Sequence, residues 1–128
     1  MSTTENPHVI PGLPIILGEP QNGLLEGRVK AACLPEHMHE GIIAYLRYGR
    51  PCGDFLRSVL CNDARDAIRR ADELNMAALG RWFLFLIRYA PMVAWGSEEH
   101  YEGWVEAGRQ AIEKARKERA NADLQNPL

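Results

Sequence analysis

Between residues 34 and 105 the chain is cut into helix-length pieces by residues that start or stop helices. The marks are Pro35, Pro51-Cys52-Gly53-Asp54, Asn62-Asp63 and Trp95-Gly96-Ser97. Proline is harmless at the first helical position, whose amide has no partner in any case. This predicts a first helix over residues 35–48, with Met38, Ile42, Tyr45 and Leu46 on one apolar stripe. Gly49 suits a left-handed C-terminal residue, and Pro51 blocks continuation. A second helix over residues 54–61 opens on Asp54 and turns Phe55, Leu56, Val59 and Leu60 inward.

Asn62-Asp63 opens a third helix whose face of Ala64, Ala67, Ile68, Ala71 and Leu74 permits close helix approach. The fourth, over residues 75–89, is the most apolar part of the chain, with Trp82, Phe83, Leu84, Phe85, Leu86 and Ile87. Apolar groups on nearly every side mark a helix buried centrally or one that shares a face with another chain. A break near Asn75 is expected, because one rod over residues 62–89 would run about 40 Å. Pro91 ends the fourth helix, and Ser97 caps a fifth, with Glu98 and Glu99 at its positive end. This last helix carries Tyr101, Trp104, Val105, Gly108 and Ile112 and becomes almost wholly charged from Glu113.

Residues 1–33 read differently. Pro7, Pro11, Pro14 and Pro20 alternate with Gly12, Gly18, Gly23 and Gly27, a spacing that excludes helices. Val9, Ile10, Leu13, Ile15, Ile16 and Leu17 are nonetheless too apolar to prefer water. The segment is expected as an extended arm on an apolar surface, with residues 15–17 as a short edge strand.

The 128 residues fit one domain, and a net charge of −2 argues against a dedicated nucleic-acid binder. Cys33, Cys52 and Cys61 are odd in number and irregularly spaced, which reads as reduced thiols. No apolar run is long enough to span a bilayer, and the polar first residues lack the pattern of a signal peptide. The expected location is cytoplasmic.

Four residue groups bear on chemistry. In Glu36-His37-Met38-His39-Glu40 the two histidines point to nearly opposite sides of a helix, about 200° apart, and cannot chelate one metal. His37 with Glu40 would need a third ligand from elsewhere, such as Cys33 or His100. Cys52 precedes a helix start, a position that can lower a thiol pKa, but no Cys-x-x-Cys or tied histidine accompanies it. Arg57, Arg65, Arg69 and Arg70 are the candidate phosphate-binding face, interleaved with Asp63, Asp66, Asp72 and Glu73. Among the aromatics, Trp95 in its connecting segment and Tyr101 are the candidates for a protein-binding surface, together with Ile15, Ile16 and Leu17 of the arm. No catalytic, cofactor-binding or metal-binding residue is assigned, and no enzymatic activity is expected.

The ordered string Leu34-Pro35-Glu36-His37-Met38, Tyr45, Gly49, Pro51, Gly53-Asp54-Phe55-Leu56, Val59-Leu60, Asn62-Asp63, Ala71-Asp72, Ala90-Pro91 and Trp95-Gly96-Ser97 resembles a group of small proteins encoded by tailed bacteriophages and prophages. The resemblance covers residues 34–105. It implies a phage-encoded accessory protein acting in the bacterial cytoplasm, and it carries no functional residue with it.

The sequence thus predicts an all-α protein, a compact bundle of four or five helices, with an extended Pro/Gly-rich N-terminal arm. Its parts are the arm at 1–33, a helical domain at 34–120 and a flexible tail at 121–128. The expected function is binding of a host bacterial protein, in its sharpest form inhibition of a defence system such as CRISPR-Cas. The alternative is a small nucleic-acid-binding regulator using the arginine-rich face. A homodimer is expected from the apolar surplus of the fourth helix.

Overall fold

Each proline and capping residue of the central block sits at or beside a helix end in the computed structural model, which describes residues 13–18 and 23–125. Seven α-helices occupy the described residues: α1 Leu24–Ala31, α2 His39–Tyr48, α3 Asp54–Leu60, α4 Ala64–Arg70, α5 Glu73–Ala77, α6 Leu79–Tyr89 and α7 Glu98–Gln125. Two 3-10 turns, Glu36–Met38 and Met92–Ala94, complete them, and no strand occurs among the described residues. The protein is all-α, with more helices among the described residues than the expected four or five, most of them short.

The added helices have local causes. Asp72 is an N-cap whose carboxylate accepts the Asn75 N–H at 2.7 Å, and Ala71 is extended there, so the helix opened at Asp63 stops at Arg70. A second break falls at Ala78, so the single break expected near Asn75 becomes two flanking it. The first predicted helix also divides: a 3-10 turn follows Pro35 and the α-helix proper begins at His39.

The larger correction concerns the arm. Residues 24–31 are helical, not extended. The prolines that forbid a helix end at Pro20, and a lone Gly27 costs only about 1 kcal/mol against alanine. Leu25 and Val29, one turn apart, are buried and fix α1 to the core. Nor do residues 15–17 form an edge strand: the Ile16 N–H donates to the Arg47 carbonyl at 2.8 Å, meeting an orphan acceptor at the end of α2. Val9 and Ile10 lie outside the described residues, as do residues 19–22 and 126–128. At the other end, the segment from residue 121 expected as a flexible tail continues α7 through Gln125.

The core gathers Ile42, Tyr45 and Leu46 of α2, Leu56 and Leu60 of α3, and Trp82, Phe85 and Leu86 of α6. Asn75 is buried with them and accepts the Trp82 indole N–H at 3.0 Å. The start of α7 closes the core over α2. Trp104 donates its indole N–H to the Tyr45 carbonyl at 2.8 Å, and the Tyr45 and Tyr101 rings stack with centroids 5.3 Å apart. Beyond Gly108, α7 buries no residue and stands in solvent.

Candidate functional site

The apolar surplus of the sequence divides unevenly on α6. Trp82, Phe85 and Leu86 face the core, whereas Leu84, Ile87 and Tyr89 are exposed. The exposure continues past Pro91 into the 3-10 turn, where Met92 is 84% exposed and Val93 61%. These exposed apolar groups fall within ten residues of chain, 84–93, and clustered exposed apolar groups mark a contact site more often than singly scattered ones do. The all-round hydrophobicity of the fourth predicted helix signalled this stretch, but the sequence did not single out Met92 or Val93.

The residues expected to bind protein are placed otherwise. Ile16 and Leu17 pack against this chain's own core and Ile15 is half-buried beside them. Trp95 is half-buried, with its ring 6.3 Å from that of Phe83. Tyr101 is buried, stacked on Tyr45, and its hydroxyl accepts the Cys52 N–H at 3.3 Å.

The candidate arginine face is drawn into ion pairs. Arg57 lies 3.3 Å from Glu98, Arg70 bonds Asp66 at 2.8 Å and Asp54 at 3.1 Å, and Arg69 lies 3.9 Å from Asp66. Arg65 is exposed. A cleft of about 310 Å³ separates these groups, and Asp54, Asp63, Asp66 and Glu98 outnumber Arg57 and Arg70 along it. Asp66 is held below the ordinary carboxylate range, first by the Ser58 hydroxyl that donates to it at 2.6 Å and then by Arg70.

The histidines go separate ways, as their spacing requires. His37 pairs with Asp72 at 2.9 Å, and His39 donates to the Leu34 carbonyl at 2.8 Å. Among the described residues no group of three His, Cys, Asp or Glu side chains is placed to hold a metal ion. Cys52, whose place before a helix suggested a lowered pKa, shows the opposite. Burial pushes its thiol up to about 12, against a smaller opposing effect of the Tyr101 hydroxyl. Desolvation outweighs the helix end because the thiolate would have little water around it.

No helix among the described residues is long and apolar enough to cross a membrane. No protein-family model, curated protein or solved structure matches the chain.

Proposed function

We propose that this chain is a phage-encoded accessory protein that acts in the bacterial cytoplasm by binding a host protein, in its sharpest form to inhibit a defence system such as CRISPR-Cas. The observation that carries the binding role is the exposed apolar stretch of Leu84, Ile87, Met92 and Val93. Placing such groups in water costs roughly 25 cal/mol per Å², a cost that a partner surface removes. The phage setting comes from the ordered string of residues 34–105. The nucleic-acid alternative has less support, because Arg57, Arg69 and Arg70 already face carboxylates of this chain.

Affinity capture from bacterial lysate tests the binding role with the wild-type chain and an Ile87→Glu/Met92→Glu variant. A host protein recovered with the first and lost with the second supports it. Plaque counts on a strain with active CRISPR-Cas test the sharper form, since expression of an inhibitor restores plaquing. Recovery of no specific protein, with plaquing unchanged, sinks the reading. Light scattering that finds a dimer dissociated by the same variant would instead assign the apolar stretch to a second copy of this chain.

A further inference from the structure

Among the described residues, a groove between α1 and α6 is lined by three arginines and no carboxylate. Arg28, Ala31 and Ala32 form one side and Arg81, Leu84 and Arg88 the other, around a volume of about 380 Å³. The sequence dictates the second side directly. Arg81, Leu84, Phe85 and Arg88 stand at i, i+3, i+4 and i+7, which is one stripe of a helix. The first side exists because residues 24–31 are helical.

These guanidiniums are positioned without facing a carboxylate among the described residues. Arg28 lies 4.6 Å over the Tyr89 ring centroid, a cation–π contact that fixes it at the rim. Arg81 spends its Nε on the Cys33 carbonyl at 3.2 Å, and its other four N–H donors have no protein partner among the described residues. Arg88 has no hydrogen-bond or ion-pair partner among the described residues. Of the arginines outside the groove, Arg47, Arg57, Arg69, Arg70, Arg109 and Arg116 each face a carboxylate, and the rest do not line it. Three unmatched like charges around one groove, in a chain of net charge −2, make a local positive field in an acidic protein.

We propose that this groove binds a peptide segment of a partner protein in which carboxylates flank an aliphatic side chain. The carboxylates meet Arg81 and Arg88, whose planar donor forks match that geometry. The aliphatic group seats over Ala31, Ala32 and Leu84, where small alanine side chains leave it room. A single nucleic-acid strand fits less well, because its bases need open aromatic faces. Here Arg28 covers one face of Tyr89, and Phe85 is buried. Leu84 belongs both to the groove and to the exposed apolar stretch, so the groove extends that surface and names the partner's chemistry. The inference rests on the protein-binding reading proposed above.

Fluorescence anisotropy on the full chain decides it, with a short labelled peptide of alternating glutamate and leucine. The parallel probes are the glutamine–leucine counterpart and oligothymidylate. The acidic peptide should bind at least tenfold more tightly than either. Arg88→Gln, which breaks no hydrogen bond or ion pair within the described residues, and Arg81→Gln should each weaken it by about tenfold. Arg65→Gln, away from the groove, should leave it unchanged. Equal binding of the glutamine peptide, no binding of the acidic one, or tighter binding of oligothymidylate would each overturn the proposal. Peptide failure with host-protein capture intact overturns the groove alone. Peptide binding without any capture supports the groove and overturns the broader functional reading.

Discussion

Arg47 at the end of α2 and Glu26 on α1 form a two-point ion pair at 2.6 and 3.0 Å, with the Arg47 side chain only 3% exposed. The pair fastens α1 to the body of the protein, beside the buried Leu25 and Val29. Breaking one side of such a pair takes from a buried guanidinium a two-point partner that offsets its loss of water. Glu26→Gln should therefore cost about 3 kcal/mol in urea unfolding. Arg47→Met combined with Glu26→Leu should cost clearly less, because it removes both charges together. If the single and double variants lose equal stability, the pair is not what holds α1 in place.

The crossing of α2 and α7 depends on two glycines. Gly49 has φ 73°, the left-handed conformation that ends α2, and Gly108 packs against it and the Tyr48 carbonyl. A Cβ at Gly108 would overlap that carbonyl oxygen, which belongs to the backbone and cannot swing aside. Gly108→Ala should destabilise the protein by about 3 kcal/mol through overpacking. It should also loosen the Trp104 indole bond to the Tyr45 carbonyl, visible as a shift in tryptophan fluorescence. A melting temperature equal to wild type would show that α7 shifts freely, and the close crossing would lose its importance.

Local signals in the sequence were readable where a single residue decides the backbone. Gly49 takes the left-handed turn, and the Ser97 hydroxyl accepts the His100 N–H at 3.1 Å. The Asp72 cap is not legible, because the alanines around it read as continuous helix, and α1 hides behind prolines that end at Pro20. Long-range geometry was not legible at all. The Asp66 partners of Arg69 and Arg70 follow from helical spacing, but Glu98 beside Arg57 and Asp54 beside Arg70 depend on the tertiary fold. Composition likewise could not tell which side of α6 would be covered. The groove was out of reach for the same reason, since Arg28 meets Arg81 and Arg88 only once α1 has folded.

Acid should weaken the α3–α4 junction in a specific way. Asp66 accepts from the Ser58 hydroxyl and from Arg70, and both interactions favour its charged form and lower its pKa. A depressed carboxylate stabilises the fold fully above its unfolded pKa of about 4 and ceases to do so as pH falls through the lower folded value. The urea midpoint should therefore hold between about pH 7 and 5 and fall below about pH 4. Asp66→Asn should lower the midpoint at neutral pH and flatten the acid decline. If the variant declines as steeply as wild type, other carboxylates dominate the acid response.

Thiol chemistry should separate the three cysteines. Cys33 is exposed just beyond α1, Cys61 is half-buried with a pKa raised by burial, and Cys52 is raised to about 12. The thiolate is the reactive species, so rate follows both accessibility and the thiolate fraction. With a disulfide reagent near neutral pH, Cys33 should react first, and Cys33→Ser should remove that phase. Cys52, half-buried and with its thiol pushed up to about 12, should react slowest in the folded chain, with a rate that climbs with urea along the unfolding transition. Rapid labelling of Cys52 in the folded chain would mean that the Tyr45–Tyr101 stack opens easily, and the thiol would then have to be reconsidered as a nucleophile.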